Sequence, residues 1–105
     1  MDPRAVYERR EALQILDVRE DDEWVAGRIE SARHIPLAEL PARLGELDRN
    51  SVIVTVCRSG NRSGQAADYL NAAGLSAQNM DGGMHRWARE NLPYSTPAGG
   101  PGRVI

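Results

Sequence analysis

The sequence predicts a small α/β domain in which a central, mainly parallel sheet carries helices on both faces. Short segments rich in Val, Ile and Leu alternate along the chain with segments of helical pattern, and this alternation is typical of parallel sheets. The chain has 105 residues, a length that suits one domain. Hydrophobic residues make up 41% of it and few are aromatic, so we expect an aliphatic core.

The first half of the chain holds five predicted elements. Asp2 and Pro3 suit the N-cap and the first position of a helix that we expect to reach about Arg10. The others, in order, are a buried strand at 13–18, a helix at 21–26 that Gly27 ends, an extended piece at 34–36, and a helix at 40–47 with Pro41 in its first turn.

The second half contains the clearest strand and the clearest helix. The β-branched run at 51–56 predicts a buried strand, and the apolar periodicity at 62–73 predicts an amphipathic helix. A short strand at 77–80, a turn at 81–83 and a helix at 84–90 follow. We therefore assign residues 1–94 to the domain. The Gly- and Pro-rich tail, residues 95–105, is expected to be extended or disordered.

Composition restricts the partners and the compartment. The formal net charge of −2 argues against nucleic acid or a membrane held by bulk electrostatics. No apolar run approaches a membrane-spanning length, and the single cysteine cannot form an internal disulfide. We therefore expect a cytoplasmic protein. All thirteen basic residues are arginines, which excludes Schiff-base chemistry on a lysine.

The only cysteine, Cys57, stands where a nucleophile is expected. It directly follows the predicted strand at 51–56 and precedes a polar loop and a helix, so it lies at the carboxyl end of a strand, where α/β sheets bind ligands. The candidate binding loop consists of Arg58, Ser59, Gly60, Asn61, Arg62 and Ser63.

The residue types of this loop suit an activated thiolate. Loop amides, a helix N-terminus and two arginines all favour a negative sulfur, and Gly60 permits the tight turn that directs successive N–H groups inward. Ser63 either donates a hydrogen bond to the sulfur or caps the helix. A buried, unreactive cysteine is the common alternative, but a packing cysteine needs no cationic, glycine-bearing loop.

Asp17 and Arg19 follow the first predicted strand, and we expect them to support the framework. In that role Arg19 pairs with Glu23 four residues on, while Asp17 accepts backbone amides. His34 and His85 are expected to be structural or surface groups. One cysteine and two histidines have no metal-ligand spacing, so no metal site is predicted.

Three stretches resemble the single-domain rhodaneses, a family of thiosulfate or persulfide sulfurtransferases. They are residues 15–20 with Glu23, Gly27 and Ile29; residues 57–63, the most specific; and residues 81–84 with Trp87, Leu92 and Pro93. The resemblance spans about residues 3–94 and implies the three-layer rhodanese fold.

The resemblance implies sulfur transfer by double displacement. Cys57 takes a sulfane sulfur from thiosulfate or a persulfide, becomes a persulfide cradled by the loop amides, and passes the sulfur to cyanide, a thiol or a protein acceptor. No cofactor is implied. Arg58 is the better candidate for an incoming sulfonate, whereas Arg62 belongs to the helix start and pairs elsewhere.

Three alternatives remain at the sequence level. A phosphatase or arsenate reductase also uses a thiolate in an anion-binding loop, but places five residues between Cys and Arg, whereas Cys57 and Arg62 are separated by four. Rhodanese folds also serve as docking or regulatory modules, which commonly lack the cysteine. The protein can also relay sulfur from a dedicated donor to a partner, a role that has the same sequence features.

Overall fold

The computed structural model describes residues 1–105 and contains one four-stranded sheet. The strand order is β2-β1-β3-β4 and every pair is parallel, which confirms the predicted α/β class. None of the helices is long and apolar enough to cross a bilayer. In chain order the elements are α1 (Pro3–Glu8), β1 (Gln14–Asp17), α2 (Asp21–Ala26), β2 (Arg33–His34), two 3-10 segments (Leu37–Glu39 and Pro41–Glu46), β3 (Ile53–Val56), α3 (Asn61–Ala72), β4 (Ala77–Asn79) and α4 (Gly83–Arg89).

Side chains alternate between the two faces of the sheet, so the domain has two apolar layers. Along β3 and the residue that follows it, Ile53 and Cys57 belong to one buried cluster, while Val54 and Val56 belong to the other. The first cluster includes Ala66, Ala67 and Leu70 of α3, and the second includes Val6 of α1 and Met84 and Trp87 of α4. Helices therefore cover both faces, as the sequence predicts.

The register brings the ends of the strands to one edge. Asp17 of β1 lies opposite Val56 of β3, and Thr55 lies opposite Asn79 of β4. The segments that follow β1, β3 and β4 therefore leave the sheet side by side. The candidate loop begins at this edge, directly after Val56.

The helix predicted at 40–47 is wrong. This stretch forms 3-10 turns instead, and Arg43 has non-helical dihedrals of φ −119° and ψ 15°. Gly45 weakens a helix, and residues 41–46 include no buried side chain, so little sustains regular α-helical bonding. The piece expected at 34–36 pairs with β1 one residue earlier, at Arg33–His34.

The tail at 95–105 makes specific contacts with the domain. The backbone groups of Ser95 and Arg28 exchange two hydrogen bonds of 2.9 and 3.1 Å, and the N–H of Arg103 donates to the Ala26 carbonyl at 2.8 Å. Gly27 has room only for hydrogen here, because a Cβ would lie 2.9 Å from the Arg103 nitrogen. The end of α2 and the tail therefore pack backbone to backbone.

Asp17 and Arg19 form a fully buried ion pair beside the carboxyl edge. The Asp17 carboxylate accepts bonds from Arg19 Nε at 2.9 and 3.1 Å and from Nη2 at 2.8 Å, and it also accepts the Arg19 backbone N–H. The Arg19 guanidinium further donates to the carbonyls of Glu23 and Gly27. The expected Arg19–Glu23 ion pair is wrong, because the Glu23 carboxylate faces Arg62.

Replacing Asp17 by asparagine tests this pair. Asp17→Asn leaves the buried Arg19 charge without its counterion, so we expect the free energy of unfolding to fall by about 3–5 kcal/mol in urea titrations. Glu46→Gln is the matched control, because Glu46 belongs to an exposed pair with Arg43 and its loss should change stability little. Similar small effects of both variants would contradict the structural role.

Candidate active site

Cys57 directly follows β3 and points to the face of the sheet that α3 covers. The residue is 1% exposed, and a short loop leads from it to Asn61, the first residue of α3. Gly60, the N-cap of α3, has φ 108°, a left-handed conformation that glycine adopts at little cost. This conformation turns the loop back over the sulfur.

Two donors lie within hydrogen-bond distance of the sulfur. The Gly60 nitrogen is 3.0 Å and the Ser63 hydroxyl oxygen is 3.2 Å from Cys57 Sγ. Burial raises the pKa of the Cys57 thiol, but the Ser63 hydroxyl and the backbone N–H groups of Ser63, Gly60 and Ser59 outweigh it, so the pKa lies below its ordinary value. Because the thiolate is the reactive form, the site favours a nucleophilic sulfur.

The first residues of α4 hold the start of the Cys57 loop through backbone hydrogen bonds. The N–H of Met84 donates to the Cys57 carbonyl at 2.8 Å, and that of His85 donates to the Arg58 carbonyl at 2.9 Å. Gly83, at φ 57°, lets the two backbones approach this closely, because a Cβ there would overlap the Cys57 carbonyl oxygen. Only glycine suits this position.

The two loop arginines point to different partners. Arg62 makes a two-pronged ion pair with Glu23 of α2, with N–O distances of 2.7 and 2.8 Å, and this contact holds the pKa of the Glu23 carboxyl below its usual value. Arg58 is exposed, and its Nε donates to the Ile105 carbonyl at 3.0 Å. The terminal nitrogens of Arg58 have no hydrogen-bond partner and are available to an anion.

The remaining loop residues have distinct positions. Ser59 and Asn61 are exposed at the surface of the loop, whereas Ser63 is buried against the sulfur. No group of three His, Cys, Asp or Glu side chains is arranged to hold a metal ion.

Sequence reasoning missed one polar contact of the site, Asn79 at the end of β4. Its side chain bonds both Gly60 and Ser63, the two residues whose donors lie nearest the sulfur. The available signal was a polar residue that ends a predicted strand of the same sheet.

A Gly83→Ala substitution tests the close approach of α4 to the loop. The new Cβ would come within 2.6 Å of the Arg58 backbone and force a strained φ, so we expect a loss of about 1–3 kcal/mol in stability and slower alkylation of Cys57 by iodoacetamide. Gly45→Ala is the matched control, since no atom lies within 4 Å of its Cβ. Unchanged alkylation in Gly83→Ala would show that α4 does not set the loop position.

Comparisons with known proteins identify the family that this chain resembles. The sequence model of the rhodanese-like domain family matches residues 2–90 of this chain. YtwF of Bacillus subtilis, a relative with a sulfurtransferase name, is 40% identical over 86 residues, 82% of this chain and 84% of its own. The thiosulfate sulfurtransferase GlpE of Pseudomonas aeruginosa is 32% identical over 99 residues, 92% of this chain and 89% of its own.

The fold is likewise shared with solved structures. A rhodanese-related protein from Thermoplasma volcanium superposes with a TM-score of 0.86 and 33% identity, over 90% of this chain and 94% of that one. The match of the family model covers most of the chain, and the sequence relatives align over most of their own length. The chain therefore belongs to the rhodanese-like domain family.

Proposed function

We propose that the protein is a sulfurtransferase that carries a sulfane sulfur on Cys57. The observation that supports this most directly is the cradle of donors around Sγ, from Gly60 and Ser63, at the carboxyl edge of the sheet. Such a cradle stabilises an anionic sulfur without any metal. The sulfurtransferase names of its relatives support the same reaction class.

The reaction proceeds in two displacements. The Cys57 thiolate attacks the outer sulfur of thiosulfate, an S–S bond forms as the donor S–S bond breaks, and sulfite leaves with the electron pair. A thiolate or cyanide then attacks the outer sulfur of the Cys57 persulfide, and the Cys57 thiolate leaves. In each step the electron pair that forms the new bond to sulfur is matched by the pair that the leaving group takes from the broken bond. The cycle therefore requires no cofactor.

The loop residues have separate roles in this reaction. The backbone amides that follow Cys57, from Arg58 to Ser63, receive the negative outer sulfur of the persulfide. Arg58 binds the sulfonate of an anionic donor through its free terminal nitrogens, while Arg62 joins α3 to α2 through Glu23. Asp17 and Arg19 support the framework beside the loop.

The burial of the sulfur and the short loop favour this reaction over phosphate or arsenate chemistry. Cys57 is nearly covered, and only four residues separate it from Arg62, so the loop suits one added sulfur better than a tetrahedral oxyanion. The donor is thiosulfate or a persulfide, and the acceptor is cyanide, a thiol or a protein. A relay between two protein partners uses the same chemistry.

Intact-protein mass spectrometry tests the persulfide. After incubation with thiosulfate, and separately with glutathione persulfide, we expect a gain of one sulfur atom that cyanide or excess thiol removes. Cys57→Ser should gain none, because serine cannot form the persulfide. No gain with either donor would favour a docking module or a relay that needs a protein donor, and a gain in Cys57→Ser would exclude the proposed site.

Arg58→Ala tests the role of the exposed guanidinium. One charge-assisted contact contributes ~1.5–3 kcal/mol, so we expect kcat/KM to fall by about 10–100-fold for an anionic donor and much less for a neutral persulfide. Arg4→Ala removes an equal charge from the exposed face of α1 and should affect neither donor. Equal losses for the two donors would show that Arg58 does not bind the sulfonate.

A further inference from the structure

Asn79 connects the two residues whose donors lie nearest the sulfur. Its Nδ2 lies 3.0 Å from the Gly60 carbonyl oxygen, and its Oδ1 lies 2.5 Å from the Ser63 hydroxyl oxygen. A carbonyl oxygen only accepts, so Nδ2 must face Gly60 and Oδ1 must face Ser63. One amide therefore fixes the Gly60 peptide on one side and the Ser63 hydroxyl on the other.

The Ser63 hydroxyl has a single proton and two acceptors for it. Asn79 Oδ1 is 2.5 Å and Cys57 Sγ is 3.2 Å from the Ser63 hydroxyl oxygen. The Ser63 side chain is fully buried. Water does not reach the hydroxyl to supply a second donor. Whichever acceptor takes the Ser63 proton, the other must do without it.

We propose that Asn79 is a positioning residue for sulfur transfer, which orients the loop through Gly60 and competes with Cys57 for the proton of Ser63. The role rests on the proposed function, since it concerns the same sulfur. In the thiol state the S–H donates to Ser63 Oγ, and Ser63 donates to Asn79. When Cys57 loses its proton to solvent, the Ser63 O–H turns to the thiolate.

Persulfide formation reverses the rotation of the Ser63 hydroxyl. The negative charge then lies on the outer sulfur, Sγ becomes a weak acceptor, and the Ser63 O–H returns to Asn79. The proton stays on Ser63 oxygen throughout, so only the direction of the hydroxyl changes. Asn79 thus provides a resting partner for the hydroxyl in the two states in which Sγ carries no charge.

Other charges near the sulfur do not act through Asn79. Arg62 of α3 is paired with Glu23 of α2, and Arg58 of the loop bonds the Ile105 carbonyl. His85 of α4 is exposed. None of these side chains makes a hydrogen bond to Asn79, so a substitution there changes the sulfur through Gly60, through Ser63 or through added charge.

Asn79→Asp separates these routes. The carboxylate has the same shape, but it cannot donate to the Gly60 carbonyl and it attracts the Ser63 proton more strongly. We expect the pH midpoint of Cys57 deprotonation to rise by about one unit. At a pH below that midpoint, roughly tenfold less of the protein then carries the thiolate. The thiolate absorbance and the rate of iodoacetamide alkylation, each followed against pH, measure this.

The decisive comparison repeats the substitution in Ser63→Ala, where the shared proton is absent. There Asn79→Asp should shift the midpoint by less than half as much. Gln78→Glu is the matched control, because it places a carboxylate at the adjacent, exposed position of β4 and should shift nothing. Equal shifts in both backgrounds, or the same shift from Gln78→Glu, would mean that charge alone acts and would overturn the proposal.

A measurement on the unaltered protein covers the case in which a variant does not fold. The side-chain amide signal of Asn79 in NMR spectra should move with the same midpoint as the Cys57 thiolate, whereas that of Gln78 should not. An Asn79 side-chain amide signal that does not shift as Cys57 titrates would overturn the proposal. Neither readout uses a sulfur donor. A coupled Asn79 together with no persulfide in mass spectrometry would therefore support the role of Asn79 and contradict only sulfur transfer from small-molecule donors.

Discussion

The parallel pairing of β3 between β1 and β4 is the constraint on which the site depends. Its register places Val56 opposite Asp17 and Thr55 opposite Asn79, so that all three strands deliver polar groups to one edge. A slip of one residue would turn Cys57 to the opposite face of the sheet, away from α3. The buried, β-branched residues of β3 oppose such a slip, because each face is covered by its own apolar cluster.

Two opposing effects meet at the sulfur. Burial disfavours a charged thiolate, whereas the hydroxyl and amide donors favour it and outweigh burial. Ser63, in the first turn of α3, supplies two of these donors, its hydroxyl and its N–H. No side chain caps this helix, so its first N–H groups remain available to the loop interior and to an anion bound there. A free helix N-terminus thus lies beside the sulfur in the proposed binding site.

Separate elements hold the loop on different sides. The amides at the start of α4 bond the Cys57 and Arg58 carbonyls, the Arg62–Glu23 pair ties α3 to α2, and Asn79 bonds Gly60. These contacts restrict the loop before any donor arrives. A preformed loop loses little binding free energy to its own ordering, which suits the proposed binding of one small anionic sulfur.

The sequence by itself determined the α/β class, the order of the strands and of the four α-helices, and the position of Cys57 between a strand and a helix. These follow from local patterns: continuous apolar and β-branched runs, helical periodicity, and glycines at turns. Only the tertiary structure decided that Arg19 pairs with Asp17, that Glu23 pairs with Arg62, and that Asn79 reaches Ser63. The last two contacts join residues 39 and 16 positions apart, and they depend on strand register and helix placement, which no local pattern encodes.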